Sequence, residues 1–439
     1  MSSLSVIPLA PRAIWDADVG RSRLGALLWR GLLFCSLFSV TFAPEFSREG
    51  DSTAGSFLYL KAAGHFRYID LAILAVFLLH VLCLGCLRRT RISFPQSLAI
   101  PGLAFLACIA AAIGYGISRH GENFFFDWRG LALGIAFYVV SAFWLQNSDD
   151  VTLAIRVFAI HAGIRIGLLY VLYAAGYGDT LFGSPIPIFD GPVLSCIVFA
   201  ALLALSHQNT NLSRQWRFAA AALAIAASLM VLLCMRRTYW AELGIGLFVL
   251  LLLRDRHRLR NLCIIVVALV MAAIPLGDRF SNRLQSFDVT RADAQFSSDN
   301  ADHLYDLLDA WEQVRQSPIM GIGLGTAYPT RHIRNWKPES VMVHNAPLHV
   351  WLKYGLAGVG CYVWFHIALL IWLFRLRVRT SGVHHSFVTA AFAYFAAQFI
   401  VTLGFAPWPY SELQLTVLMS FILAAAVAIS RQTQRVSCL

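Results

Sequence analysis

Few residues in this chain have the type and spacing to do chemistry, and the first of them are basic. Arg236 and Arg237 stand together in "MRRTYW", between two apolar runs, and His344 with Asn345 opens the apolar stretch "HNAPLHVWLKYG". Guanidinium groups bind phosphate through paired hydrogen bonds and stay charged at any working pH. Arg at membrane depth is costly and is usually retained for a partner, so capture of a phosphate or pyrophosphate competes with snorkelling to lipid headgroups. An imidazole changes charge near neutrality and suits proton transfer, although a lone His at a helix entrance also serves as a cap or an interfacial residue. Asn345 could orient a sugar hydroxyl or cap a helix beginning near 347. His161 and Arg165 share one helix face at i,i+4. They either line a polar cavity or pair with an acid such as Asp70 or Glu242 on another span.

Other motifs exclude chemistry. "GIGLG" (Gly321, Gly323, Gly325) lacks the Gly-Lys-Ser/Thr ending of a phosphate loop and follows no predicted strand, so it reads as a tight turn with close backbone approach. No Asp-x-Asp lies in the long polar segment, no His/Cys/carboxylate cluster has metal-ligand spacing, and no Gly-x-Ser-x-Gly is present. The expectation is a reaction with no metal and no cofactor. Of the nine cysteines, eight fall in apolar runs. Cys83 and Cys86 form a CxxC without a second pair, so they read as small helix-packing residues.

The elements that must position these groups are membrane helices. The chain has 439 residues, 58% hydrophobic and 13% charged, with mean hydropathy +0.64. A soluble domain carries roughly a quarter charged residues. Twelve apolar runs are long enough to be read as spans: 24–43, 68–87, 92–117, 130–146, 151–175, 186–206, 216–235, 238–253, 261–276, 347–374, 385–405 and 412–430. The net charge of +11 then reads as cytoplasmic-loop Lys and Arg rather than a nucleic-acid surface. With the N-terminus cytoplasmic, one side collects Arg12, Arg21, Arg23, Arg88, Arg89, Arg91, Arg254, Arg256, Arg258, Arg260, Arg375, Arg377 and Arg379, while the opposite loops are poorer. Both termini are therefore expected in the cytoplasm. The long polar stretch 277–343, Arg236-Arg237 and His344 all fall on the other face.

The expected organisation is spans one to nine in 1–276, an extracytoplasmic helical segment in 277–343, and three further spans with a cytoplasmic tail in 344–439. Within the outer segment, Leu304, Leu307, Leu308 and Trp311 recur at helical spacing and predict an amphipathic helix near 300–316, capped by Asp299 or Asn300, with Asp302, Asp306 and Asp309 on its wet side.

The order "SPIMGIGLGTAY", then "HNAPLHVWLKYGLAGVG", resembles the O-antigen ligase and O-antigen polymerase family. The chain supplies Pro318, Gly321, Gly323, His344, Asn345, Gly355 and Gly358 of that pattern, and "MRRTYW" is similar to the family's Arg at the outer end of a span. The likeness covers roughly 225–375. Two positions depart from it. Lys353 stands where members often have an acid, and His303 where many have an Arg, leaving Arg291 and Arg283 as stand-ins. The resemblance implies an all-α polytopic glycosyltransferase, GT-C-like, in the bacterial inner membrane with a periplasmic site. Arg237 and Arg236, with Arg291 and Arg283, would hold the donor diphosphate. His344 would be catalytic, and Asn345 and His303 would orient substrate. Its implied partners are undecaprenyl-diphosphate-linked O-antigen, lipid A–core and membrane lipids, with no nucleic acid. The ligase branch moves O-antigen en bloc to lipid A–core; the polymerase branch extends the glycan. A secondary transporter of an anionic solute, using Arg165 and His161, is the reading from a different class.

Overall fold

A computed structural model of the chain describes residues 61–63, 66–67, 94–118, 124–145, 147–177, 179–181, 184–188, 191–207, 213–253, 294–330, 339–340, 343–404 and 413–437. Its long elements are helices: α1 (Gln96–Ser118), α2 (Phe124–Trp144), α3 (Ser148–Ala174), α4 (Gly191–Ser206), α5 (Arg214–Leu233), α6 (Arg237–Leu252), α7 (Ala294–Gln316), α8 (Ala346–Val378), α9 (Gly382–Gly404) and α10 (Leu413–Ser437). Short antiparallel ribbons join some of them: β1 (Lys61–Ala63) with β2 (Phe66–Arg67), β3 (Asp179–Leu181) with β4 (Ser184–Ile186), and β5 (Tyr328–Pro329) with β6 (Glu339–Ser340).

Among the described residues, six helices are long and apolar enough to cross a membrane: α1, α3, α5, α8, α9 and α10. The apolar part of α2 and the whole of α4 are shorter. The protein is an all-α polytopic membrane protein. The expected spans 24–43, 68–87 and 261–276 lie outside the described residues, as do Asp70 and the Cys83/Cys86 pair. The run 216–253 is two helices. Met235 adopts φ 54°, a conformation costly for a residue with a Cβ, and turns the chain between α5 and α6.

The core centres on α4, which is apolar around its circumference and buried along its length. Phe199 of α4 packs its ring on Phe158 of α3 and on Phe387 and Tyr394 of α9. On α10, Ser420 donates from Oγ to the Gly134 carbonyl at 2.9 Å, bringing α10 and α2 together. Where α1 crosses α8, the Cys108 and Cys361 sulfurs meet at 3.8 Å as small packing groups. The outer helices expose Leu103, Ile164, Phe218 and Val378, side chains suited to lipid rather than water.

A polar cluster fastens three of these helices. Glu242 of α6 is buried and accepts hydrogen bonds from Ser195 Oγ of α4 and Gln398 Nε2 of α9, each at 2.7 Å. Gln398 Nε2 also donates to Ser195 Oγ at 2.6 Å, and Tyr394 Oη shares that hydroxyl at 2.9 Å. Leaving buried polar atoms unpaired costs roughly 1–3 kcal/mol. Gln398→Leu is therefore expected to lower the thermal unfolding midpoint in detergent; an unchanged midpoint would show that the cluster contributes nothing to stability.

The helix of the long polar segment forms, but it differs from expectation in length and orientation. α7 begins at Ala294, so Asp299 and Asn300 lie inside it rather than at its start. Of the expected wet face, Asp306 and Asp309 are buried, 0% and 1% exposed, whereas of the expected apolar face Leu308 and Trp311 are 47% and 43% exposed and Leu307 packs inward. Two features on the inner side explain the inversion. Ala310 and Val314 pack there with Ile322, Val343 and Leu352, and Asp306 finds donors there. On the outer side, Leu308 and Trp311 are joined by exposed Ile319, Met320 and Leu356. Leu356 belongs to a membrane-crossing helix and donates its N–H to the Ile319 carbonyl at 3.2 Å. The outward apolar face thus continues a surface that suits lipid.

The glycine turn locks α7 to α8 and α1. Ile322 N–H donates to the Leu352 carbonyl at 2.6 Å and Leu324 N–H to the Ala112 carbonyl at 3.1 Å. These bonds need an opening in α8, and Gly355 provides it with non-helical φ 70°, ψ −174°. A Cβ on Gly355 would collide with the Ile319 carbonyl oxygen. Trp351 Nε1 donates to the Pro318 carbonyl at 2.8 Å. The tight turn with close backbone approach expected of "GIGLG" is what forms.

Candidate functional site

His344 ends the polar segment one residue before the cap of α8. Asn345 makes that cap: its Oδ1 accepts the Leu348 N–H at 2.9 Å. Its Nδ2 donates to the Leu403 carbonyl of α9 at 3.0 Å. Both ends of the amide are thus engaged within the protein, and of the two readings of Asn345 the capping one is visible in the geometry.

His344 is held from the other side by α7. Asp306 Oδ2 accepts the His344 backbone N–H at 2.9 Å and lies 3.1 Å from His344 Nδ1. Tyr328 Oη donates to Asp306 Oδ1 at 2.6 Å. The carboxylate is wholly covered, while 29% of the His344 side chain is exposed. Burial alone would push the Asp306 carboxyl up, but the bonds from His344 and Tyr328 outweigh it and hold the group below the usual carboxylate range. This contribution to stability is present above about pH 4 and is lost as pH falls through the lower folded-state value. Facing a carboxylate, Nδ1 carries the ring proton, so the basic lone pair sits on Nε2.

The arginine pair sits at the N-terminus of α6. Arg236 is its N-cap residue, with no side-chain cap bond, and the first turn contains no acid. A helix N-terminus carries roughly half a positive charge. Two guanidinium groups there add to the field instead of cancelling it, which is an arrangement for an anion. Both arginines are half-buried.

Hydrogen bonds between helices fix where this pair lies relative to His344. Arg377, at the end of α8, donates to the Leu253 carbonyl at the end of α6, and α9 starts at Gly382 after a short turn. Further along, Glu242 of α6 meets Gln398 of α9. The two helices are therefore antiparallel. Arg237 precedes Glu242 by five residues and Leu403 follows Gln398 by five, about 7.5 Å along each axis at 1.5 Å per residue. Leu403 accepts the bond from Asn345. The arginine pair and His344 thus occupy the same end of the bundle, on either side of α9, about 20 Å apart at two helix spacings.

Arg283 and Arg291 lie outside the described residues. His303 falls within α7, where only the backbone is described. His161 and Arg165 lie on α3, which packs chiefly on α4, α5 and α10 rather than on α7 or α8. Glu242, offered as an acid for Arg165, is bonded instead to Ser195 and Gln398. Lys353, where the resemblance expects an acid, is fully buried and donates from Nζ to the Thr326 carbonyl of the glycine turn at 2.6 Å. Asp306 was not among the candidates, because apolar periodicity set it on the wrong side of its helix. The available signal was a run of aspartates in a helix interior, where Asp is a poor helix former.

Fold and site together define a polytopic membrane protein with a polar, cation-bearing site at one end of its helices. Residues 219–363, about a third of the chain, match the family model described as O-Antigen ligase. Over those residues the chain is similar to the O-antigen ligase/polymerase superfamily. No curated protein matches the chain.

Proposed function

We propose that the protein is an O-antigen ligase. It transfers O-antigen from undecaprenyl diphosphate to a sugar hydroxyl of lipid A–core at the periplasmic face of the bacterial inner membrane, in a twelve-span chain with both termini cytoplasmic. The observation that carries this reading is the pairing of sites at one end of the bundle: an anion-attracting arginine pair at a helix N-terminus, and an imidazole held by a buried carboxylate across α9. Segments 219–363, matched to the family, contain both.

The donor brings its own activation in the sugar–diphosphate bond. Arg237 and Arg236 bind the diphosphate. The acceptor hydroxyl oxygen attacks the anomeric carbon from the opposite side, its proton passes to His344 Nε2, and the anomeric carbon–oxygen bond breaks with its electron pair going to the leaving phosphate. The products are an inverted glycosidic bond and undecaprenyl diphosphate. Removing one fixed hydrogen-bond donor from a developing oxyanion costs about 2.7–4 kcal/mol in acyl-transfer enzymes, which sets the scale for such stabilisation.

Arg237→Lys keeps the charge and loses the fork. Loss of one charge-assisted hydrogen bond, roughly 1.5–3 kcal/mol, should lower transfer about 10- to 100-fold; full activity would instead indicate that Arg237 snorkels to headgroups. Lipopolysaccharide from cells lacking the gene tests the reaction itself. Bare core with accumulated lipid-linked polymer is the expected pattern. Core bearing a single repeat unit would assign polymerase, and normal laddering would remove the glycan reading in favour of transport.

A further inference from the structure

We infer that Asp306 is a positioning residue for transfer: held by Tyr328, it fixes the ring of His344 so that Nε2 faces the acceptor hydroxyl. This inference rests on the glycosyl-transfer reading above. Three observations support it. The Asp306 side chain is fully covered, so its charge is retained for internal partners rather than for water. A single oxygen of that carboxylate engages both the backbone N–H and Nδ1 of the same histidine, fixing the main chain and the ring together. The second oxygen is occupied by the Tyr328 hydroxyl, on the ribbon that follows the glycine turn, so the carboxylate cannot swing away without breaking a 2.6 Å bond.

The chemistry follows from the placement. When the acceptor hydroxyl gives its proton to Nε2, the ring becomes a cation whose Nδ1–H already points at a carboxylate. Asp306 takes no proton; it supplies an opposite charge where positive charge develops and keeps the tautomer whose free electron pair is on Nε2. Among the described residues, the other ionisable groups on the elements packed here include Tyr328 on the ribbon, Asp309 on α7, and His349 and Lys353 on α8. Lys353 is engaged with the Thr326 carbonyl, and His349 Nδ1 lies 3.5 Å from the Val343 N–H. The arrangement links the superfamily's glycine turn to its histidine: the turn seats α7, and α7 delivers Asp306.

The test uses the full-length protein in detergent or nanodiscs with lipid-linked glycan donor and lipid A–core acceptor. Asp306→Asn keeps size and hydrogen-bonding capacity but removes the charge. It is expected to lower kcat about 100-fold or more, within the 10²–10⁴ range of general acid–base effects, with the donor KM unchanged because the diphosphate is held elsewhere. A variant with kcat intact, or one in which only KM rises, overturns the inference. Should Asp306→Asn not fold, Tyr328→Phe removes one hydroxyl from the carboxylate and should lower kcat several-fold at constant KM; full kcat there overturns it equally. His344→Ala, measured in parallel, separates the failures. An active His344→Ala defeats the underlying transfer reading, whereas an inactive His344→Ala beside a fully active Asp306→Asn defeats this inference alone.

Discussion

His344→Ala is expected to reduce glycan transfer by about 10²–10⁴-fold, the usual contribution of a positioned proton acceptor, while the protein still inserts, with its unfolding temperature lowered only by the loss of the imidazole's bond to Asp306. The fold should tolerate the change because what the imidazole contributes to packing is small. Its side chain is partly exposed, and the bond from the His344 backbone N–H to Asp306 survives the substitution. Membrane abundance and thermal unfolding report the fold, and the lipopolysaccharide ladder reports transfer. A mutant that ladders normally would assign His344 a purely architectural part.

Gly355→Ala should have the largest effect on the fold. The position combines two demands that no other residue meets. Its φ of 70° is left-handed, and the space where a Cβ would sit is taken by the Ile319 carbonyl. The atom in the way is main chain inside the turn that joins α7 to α8, so relief requires breaking the bonds from Ile322 to Leu352 and from Leu356 to Ile319. A loss above about 4 kcal/mol is expected, in the range reserved for strain at special backbone positions. It should appear as loss of the protein from the membrane fraction. Gly360→Ala is the matched control. It lies a turn and a half further along the same helix with nothing within 4 Å of its Cβ position, and should be neutral or stabilising by up to about 1 kcal/mol. Equal abundance of the two variants would contradict the locking role of the turn.

Much of this architecture was legible in the sequence because bilayer physics is blunt. Long apolar runs must be helices, and "GIGLG" without a phosphate-loop ending must be a turn. The break between α5 and α6 falls where the apolar run is interrupted by Met235, Arg236 and Arg237. The orientation of α7 was not legible. Helical periodicity shows that one face differs from the other, but assigning the apolar face inward presumes water outside. Beside a lipid-facing α8 the presumption fails: Leu308 and Trp311 turn out, and Asp306 and Asp309 turn in. For the same reason the partner of His344 was hidden, since 38 residues separate it from Asp306 and only the docking of α7 brings them together. Asn345 shows the converse, a residue whose capping role was readable locally and whose second bond, to Leu403, is purely tertiary.

Reconstitution of the purified protein with undecaprenyl-diphosphate-linked glycan and lipid A–core, in the absence of nucleotide, tests the central claim most directly. The account predicts ligated product and undecaprenyl diphosphate released in equal amounts, with both lost in His344→Ala. Neither product forming with folded protein, or release continuing undiminished in His344→Ala, would contradict it.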